Sequence, residues 1–175
     1  MPNPLRKALF IDRDGIINED TGYPYLPEHI RFNEAVFPLC KTGARKKYLL
    51  IVITNQAGVA KGKFTEQDVT ALHEWMAGEF KKHGITVAGF YYCPHHPEAS
   101  VPEYRIACNC RKPKPGMIEQ AIKDFNIDVR GSFVIGDKPS DRIALPGLRS
   151  IIVKSRYTAA DDFDVEELAH VADYL

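Results

Sequence analysis

Short apolar runs recur along this chain, and three of them stop abruptly at a polar residue. Lys7-Ala-Leu-Phe-Ile11 ends at Asp12, Tyr48–Ile53 ends at Thr54-Asn55, and Ser132-Phe-Val-Ile135 ends at Gly136-Asp137. Ser150-Ile-Ile-Val153 is a fourth run, and Gly89-Phe-Tyr-Tyr92 adds another. Runs without polar alternation predict strands buried on both faces. Helix-length segments separate them. One opens at Thr65 with Asp68 three residues on, as in a capping box, and carries Val69, Leu72, Met76 and Phe80 on one stripe. A second opens at Pro115 and buries Met117, Ile118, Ala121 and Phe125. A third pattern, Asn33 to Lys47, is interrupted by Pro38 and Gly43. Buried strands alternating with helices predict an α/β fold with a doubly wound, mainly parallel, Rossmann-like sheet. Such a sheet takes its ligand beyond the carboxyl ends of its strands, where Asp12, Thr54 and Asp137 converge.

At 175 residues, with no internal repeat, low-complexity stretch or linker, the chain is expected to form a single domain over 1–175. Its 23 basic and 23 acidic side chains give a formal net charge of zero, which excludes the electrostatic footprint of a general nucleic-acid or anionic-membrane binder. The longest apolar run, Tyr48–Ile53, is far below the ~20 residues that span a bilayer, and the first residues do not read as a secretory signal. A cytoplasmic monomer is expected, with a small molecule as its partner rather than nucleic acid or membrane.

Asp12-Arg-Asp14-Gly15 places two carboxyl groups in a turn directly after the first strand. In such a turn one carboxylate can attack as a nucleophile while the other donates and accepts a proton. Taken alone, an Asp-x-Asp is just as well an acidic turn that caps a helix. Thr54-Asn55-Gln56 offers a hydroxyl and amides suited to phosphoryl oxygens, though turns use the same residues. Arg111-Lys112 precedes Pro113-Lys114-Pro115-Gly116, so a stiff loop presents two cations, or a solvated charge pair. Gly136-Asp137-Lys138-Pro139-Ser140-Asp141 adds the oxygen ligands that a hard divalent cation requires.

In this order the four segments resemble the motifs of the haloacid dehalogenase (HAD) superfamily of phosphotransferases, from Lys7 to about Val153. The resemblance implies a HAD-like fold in which Asp12 is the nucleophile and Asp14 the general acid/base. It implies that Thr54 and Lys112 hold the transferring phosphoryl group. Mg²⁺ would be held by Asp12, Asp137 and the main-chain carbonyl of Asp14. Charge spread over three phosphoryl oxygens in flight explains why positioning and positive charge are what such a site supplies.

Cys93-Pro-His95-His96 and Cys108-Asn-Cys110 gather three of the four cysteines. As ligands, Cys93, His95, Cys108 and Cys110 suit a closed, structural tetrahedral Zn²⁺ site, with His96 as the alternative imidazole. A disulfide with a spare thiol, or free thiols, are the competing readings. Cys40 falls in a helical apolar pattern and reads as a small buried hydrophobe. Closing a metal around the loop at about 93–110 would fix a segment otherwise without apolar anchors, and with it Arg111 and Lys112.

This cysteine pattern resembles the HAD branch that contains heptose-bisphosphate phosphatases and histidinol-phosphatases. Asp12–Asn18, Gly22-Tyr23, Thr54–Glu66, Tyr91–Pro97 and the long insert Glu98–Ala107 are more similar to the heptose enzymes. That resemblance implies hydrolysis of the 7-phosphate of a heptose 1,7-bisphosphate, with histidinol phosphate or another small phosphate ester as the alternative substrate. It implies substrate contacts at Asp20, Thr21, Gly22, Tyr23, Asn55, Gln56, Arg111 and Lys138. A zinc-stabilised binding module without catalysis is the reading from a different class. There is no room for a cap domain of useful size, so loops alone would choose the substrate. Two departures stand out. Ile16 replaces a frequent Thr, and Arg142-Ile-Ala-Leu-Pro-Gly-Leu-Arg149 is about a turn short and contains Pro146, which leaves the placement of Asp141 open.

Overall fold

The computed structural model describes residues 4–175. Its centre is a five-stranded sheet in the order β3-β2-β1-β4-β5, parallel throughout. The strands are β1 (Ala8–Ile11), β2 (Leu49–Asn55), β3 (Gly89–Cys93), β4 (Phe133–Gly136) and β5 (Arg149–Ile152). All five expected strands are present within a residue or two of their expected ends. The helices are α1 (Val36–Arg45), the single turn α2 (Ala57–Ala60), α3 (Glu66–Lys82) and α4 (Gly116–Phe125).

Period-two alternation divides the strand residues between two cores. Leu9, Ile11, Leu50, Val52, Phe133, Ile135 and Ile151 face α1 and α3, where Val36, Phe37, Leu39, Cys40, Leu72, Met76 and Phe80 meet them. Ala8, Phe10, Leu49, Ile51, Ile53 and Val134 face the other way, onto Met117, Ile118 and Ala121 of α4. Helices thus cover both faces, which is what lets an all-parallel sheet of continuous apolar strands exist in water. Cys40 lies in the first core as expected, and so does Ile16, 1% exposed, in place of the hydroxyl residue.

Helix α1 is shorter than the interrupted pattern suggested. Asn33 closes its start, accepting the Ala35 N–H at 3.2 Å on Oδ1, and Pro38 falls in the first turn, where its missing N–H is harmless. Helix α4 begins at Gly116, directly after Pro115. No α-helix follows β4 among the described residues. Pro139–Asp141 forms a 3₁₀ turn, and the short Pro146-containing segment leads straight into β5. The loop at 93–110 does have an apolar anchor, contrary to expectation. Tyr104 packs with Tyr25 and Tyr92 onto Val59, Phe64 and Val69, and its hydroxyl donates to Glu66 Oε2 at 3.0 Å.

The β1 and β2 strands turn one way along the sheet and β4 and β5 the other, so the crevice opens beyond β1, the site expected for ligands in such a sheet. Among the described residues no helix is long and apolar enough to cross a membrane.

The capping box on α3 is fully formed. Thr65 Oγ1 accepts the Asp68 N–H at 3.2 Å, and Asp68 Oδ2 accepts the Thr65 N–H at 2.7 Å. Thr65→Ala removes the cap without touching the core, and should lower stability by about 1 kcal/mol. A chain of this size then melts roughly 2–4 °C lower in a calorimetric scan. An unchanged Tm would mean that the cap adds nothing to α3.

Candidate active site

Asp12 leaves β1 with its N–H still bonded to the Ile135 carbonyl at 2.9 Å, so its side chain is fixed by the sheet. Lys112 reaches it from the loop before α4, with Nζ 2.8 Å from Asp12 Oδ1, 2.6 Å from Asp141 Oδ1 and 3.3 Å from the Ile53 carbonyl. Asp12, Lys112 and Asp141 are all buried. Burial works against the Lys112 charge, but the two carboxylates outweigh it and hold its pKa above the ordinary lysine value.

Asp12, Asp137 and Asp141 can each aim a carboxylate oxygen at one point, the three atoms lying within 4.8 Å of one another. Gly15 makes this approach possible. Its φ of +102° suits glycine, and a Cβ there would lie 2.2 Å from Asp137 Oδ2. Asp137 Oδ1 is buried without a hydrogen-bond partner. Burial and the Asp141 charge push Asp12 up to about 7, with Lys112 pulling the other way. Burial likewise pushes Asp137 to about 6, against Lys138. Carboxylates crowded out of water, one of them with an orphaned oxygen, fit a hard divalent cation.

Asp14 points elsewhere. Its carboxylate accepts from Arg13 Nε and Nη2, both at 3.0 Å, from Asn18 Nδ2 at 3.0 Å and from Gln56 Nε2 at 3.1 Å. This carboxylate stands outside the Asp12–Asp137–Asp141 cluster. Asp141, whose placement the shortened segment left open, is fully buried in the cluster.

A cleft of about 350 Å³ lies over these groups, lined among others by Asp12, Asp14, Thr54, Lys112 and Arg111. Thr54 is 1% exposed, and its hydroxyl accepts from Gln56 Nε2 at 2.8 Å. Asn55 also lines the cleft, but its amide already holds Lys112, accepting its N–H at 3.0 Å and donating to its carbonyl at 3.2 Å. Gln56 is tied to Arg13, Asp14 and Thr54. At the rim Lys138 pairs with Asp20 at 3.0 Å and stands over the Tyr157 ring. Gly22 and Tyr23 also line the cleft, whereas Thr21 lines a neighbouring hollow with Glu28, His29 and Arg31. Sequence reasoning missed Arg13, which grips Asp14, and Tyr157 at the rim. Only Arg13 carried any signal, as the cation between the two aspartates.

Outside the cleft, Cys93, His95, Cys108 and Cys110 converge. Cys93 Sγ is 3.0 Å from Cys110 Sγ and 3.6 Å from Cys108 Sγ, and His95 Nδ1 is 3.4 Å from Cys110 Sγ. The 3.4 and 3.6 Å separations suit ligands around one zinc ion with bonds of about 2.0–2.3 Å, while Cys93 and Cys110 stand closer together than a tetrahedral site holds two sulfurs. His96 is turned away, its Nδ1 accepting the Glu98 N–H at 3.0 Å. The cluster reaches the cleft through Arg111, whose Nη1 donates to the His95 carbonyl at 3.2 Å.

Comparison with known proteins gives the arrangement its relatives. Residues 109–175 match the HAD-hydrolase-like family. A Vibrio cholerae protein named D-glycero-beta-D-manno-heptose-1,7-bisphosphate 7-phosphatase is 44% identical over 139 residues, 79% of this chain and 75% of its own. A Burkholderia mallei protein carrying the alpha-anomer name is 44% identical over 135 residues, 77% of this chain and 71% of its own. The crystal structure of D,D-heptose 1,7-bisphosphate phosphatase from B. bronchiseptica, complexed with magnesium and phosphate, superposes with a TM-score of 0.77 at 26% identity. It covers 95% of this chain and 97% of its own.

The raised values of Asp12 and Asp137 set a pH dependence. Both lie above the ~4 of an exposed aspartate, so in metal-free protein their ionisation weakens the fold as pH rises from about 4 to 7. A bound cation favours the ionised forms, and protons compete with it below those values. The gain in Tm on adding Mg²⁺ should therefore be small at about pH 5.5 and larger at about pH 8, as thermal melts would measure. An equal gain at both would place the cation elsewhere.

Proposed function

Because the chain belongs to the D-glycero-D-manno-heptose-1,7-bisphosphate 7-phosphatase family of HAD-like hydrolases, we propose that it is a Mg²⁺-dependent phosphatase. Its substrate is D-glycero-D-manno-heptose 1,7-bisphosphate, from which it removes the 7-phosphate. The observation that carries this reading is the buried Asp12–Lys112–Asp141 group beside Asp137, with Asp14 held separately on the same cleft. A pure binding module has no use for five charged groups so arranged.

Asp12 is the nucleophile. One of its carboxylate oxygens attacks phosphorus in line with the bond to the sugar oxygen, forming an aspartyl-phosphate as that bond breaks. Asp14 gives the departing 7-oxygen a proton, then takes one from the water that hydrolyses the aspartyl-phosphate. Lys112 and the Thr54 hydroxyl balance charge on the equatorial phosphoryl oxygens. Asp12, Asp137 and the Asp14 carbonyl would hold Mg²⁺, joined by Asp141 in the same cluster. When bound, the ion screens the charge between anionic Asp12 and the anionic ester.

The rest of the substrate lies in an open cleft. Asp20, Gly22, Tyr23 and Lys138 line its rim near the sugar, while Asn55 and Gln56 act mainly by fixing Lys112 and Asp14. Arg111 receives the distal 1-phosphate, its planar fork suiting bidentate contact. Lys61 donates to the hydroxyl of the rim residue Tyr23 at 2.7 Å and so adds a cation beside the cleft. Cys93, His95, Cys108 and Cys110 hold a structural Zn²⁺ that keeps the Arg111 loop in place. Three thiolate ligands suit a reducing cytoplasm, and the chain works as a monomer on a small sugar phosphate.

Asp12→Asn is nearly isosteric but cannot attack phosphorus. It should abolish turnover while the far-UV circular dichroism of the folded chain is kept, and beryllofluoride should trap on Asp12 in the wild type. Normal turnover by the Asn variant, once deamidation is excluded, would remove Asp12 from the role.

Arg111→Ala separates the substrates. The wild type should favour heptose 1,7-bisphosphate over histidinol phosphate in kcat/KM. The variant should lose roughly ten- to a hundredfold on the bisphosphate, since charge-assisted hydrogen bonds contribute about 1.5–3 kcal/mol, and little on an aryl phosphate. Equal losses on both would assign Arg111 to the transferring phosphoryl group, and a wild-type preference for histidinol phosphate would overturn the heptose assignment.

A further inference from the structure

We propose that His73, on α3, is a positioning residue for Asp14, acting through the buried guanidinium of Arg13. The inference rests on the reading of Asp14 as proton donor to the leaving group.

Arg13 is fully buried although it sits between two aspartates on a loop. Its Nε and Nη2 grip the two oxygens of Asp14 as a bidentate fork, each at 3.0 Å. Nη2 also donates to the Pro24 carbonyl at 3.0 Å and to Gln56 Oε1 at 3.1 Å. The remaining nitrogen, Nη1, meets His73 Nε2 at 3.2 Å. A guanidinium has no lone pair to offer, so Nε2 accepts and the imidazole is neutral, with its proton on Nδ1. Burial, and then the Arg13 charge, press the His73 pKa down to about 3, so this acceptor persists at any working pH.

The ring itself is fixed. It stacks on Phe90 of β3 with centroids 4.8 Å apart and planes at 23°, and Tyr92 meets it edge-on at 6.0 Å. It stands on a 17-residue helix whose start is capped. A fork on one carboxylate can tilt along with that carboxylate. Pro24 and Gln56 hold only Nη2; His73 holds the other terminal nitrogen from a separate and rigid element, which limits the tilt and so the direction in which Asp14 offers its proton. Proton transfer in the transition state depends on that direction.

The test uses leaving-group dependence. An alkyl phosphate needs its leaving oxygen protonated, whereas p-nitrophenyl phosphate departs without help. The ratio kcat/KM reports only steps up to the first P–O cleavage, so it isolates the proton-donating role. His73→Leu should lower kcat/KM about tenfold or more on glycerol phosphate and heptose bisphosphate, but less than about threefold on p-nitrophenyl phosphate. His73→Gln, which restores an acceptor, should recover most of the loss. His73→Met carries the same test should the leucine variant not fold. Asp14→Asn is the reference and should show the same substrate dependence, more strongly. If it does and the apolar His73 variants lose equally on both classes, or lose nothing, the positioning role is overturned while the acid assignment stands. If Asp14→Asn itself falls equally on both classes, the acid assignment fails and the proposal with it.

Discussion

Lys112 carries a positive charge into a place that water hardly reaches, and it can stay charged there only because Asp12 and Asp141 stand within 2.8 Å of its ammonium. Removing ions from water costs several kcal/mol each, even in real proteins, so the contact is not there for stability alone. Three carboxylates share the locality with that one ammonium, and Asp137 still has an oxygen without a partner. The excess of negative charge has two ways out: protons, which the raised values of Asp12 and Asp137 register, or a divalent cation. Every other feature of the site follows from keeping this imbalance in place until a cation and a phosphate ester resolve it.

The fold meets that demand with elements that would otherwise separate. The sheet fixes Asp12 through the Ile135 carbonyl. Asn55, at the end of β2, takes both backbone groups of Lys112 and so ties the cation-bearing loop to the sheet. Asp141 is held by the N–H groups of Asp137 and Lys138, both 3.1 Å from its Oδ2. Gly136 leaves room for this, since a Cβ there would lie 2.2 Å from the Asp141 side chain. A tight 3₁₀ turn over Pro139–Asp141 places the carboxylate directly, so the short Pro146-containing segment that left its position open does not displace it.

Much of this was legible in the residues. The strands announced themselves as unbroken apolar runs, and their ends named Asp12, Thr54 and Asp137. Cysteine spacing anticipated the cluster that the fold assembles. What could not be read was how each polar side chain is satisfied. Asn55 and Gln56 are the residue types that bind phosphoryl oxygens, yet here they bond to Lys112 and Asp14, partners 57 and 42 positions away. The Tyr104 anchor depends on contact with Val59, Phe64 and Val69, which no local pattern reveals. His73 gave no signal either, because a histidine beside an apolar helical stripe looks like any other until the arginine opposite it is placed.

Two rigid supports therefore flank one open cleft. On one side the thiol cluster sits on the loop whose His95 carbonyl receives Arg111, so the residue proposed to grip the far end of a substrate is placed by a cluster outside the cleft. On the other side His73 of α3 meets Arg13, which grips Asp14, the proposed proton donor to the leaving group. The central charges are common to phosphoryl transfer in general and say little about the alcohol being released. On the proposed reading, selectivity without a cap comes from the distance between the bond being broken and Arg111 at the far end. That distance is stiff only because both supports are anchored in elements that take no part in the chemistry.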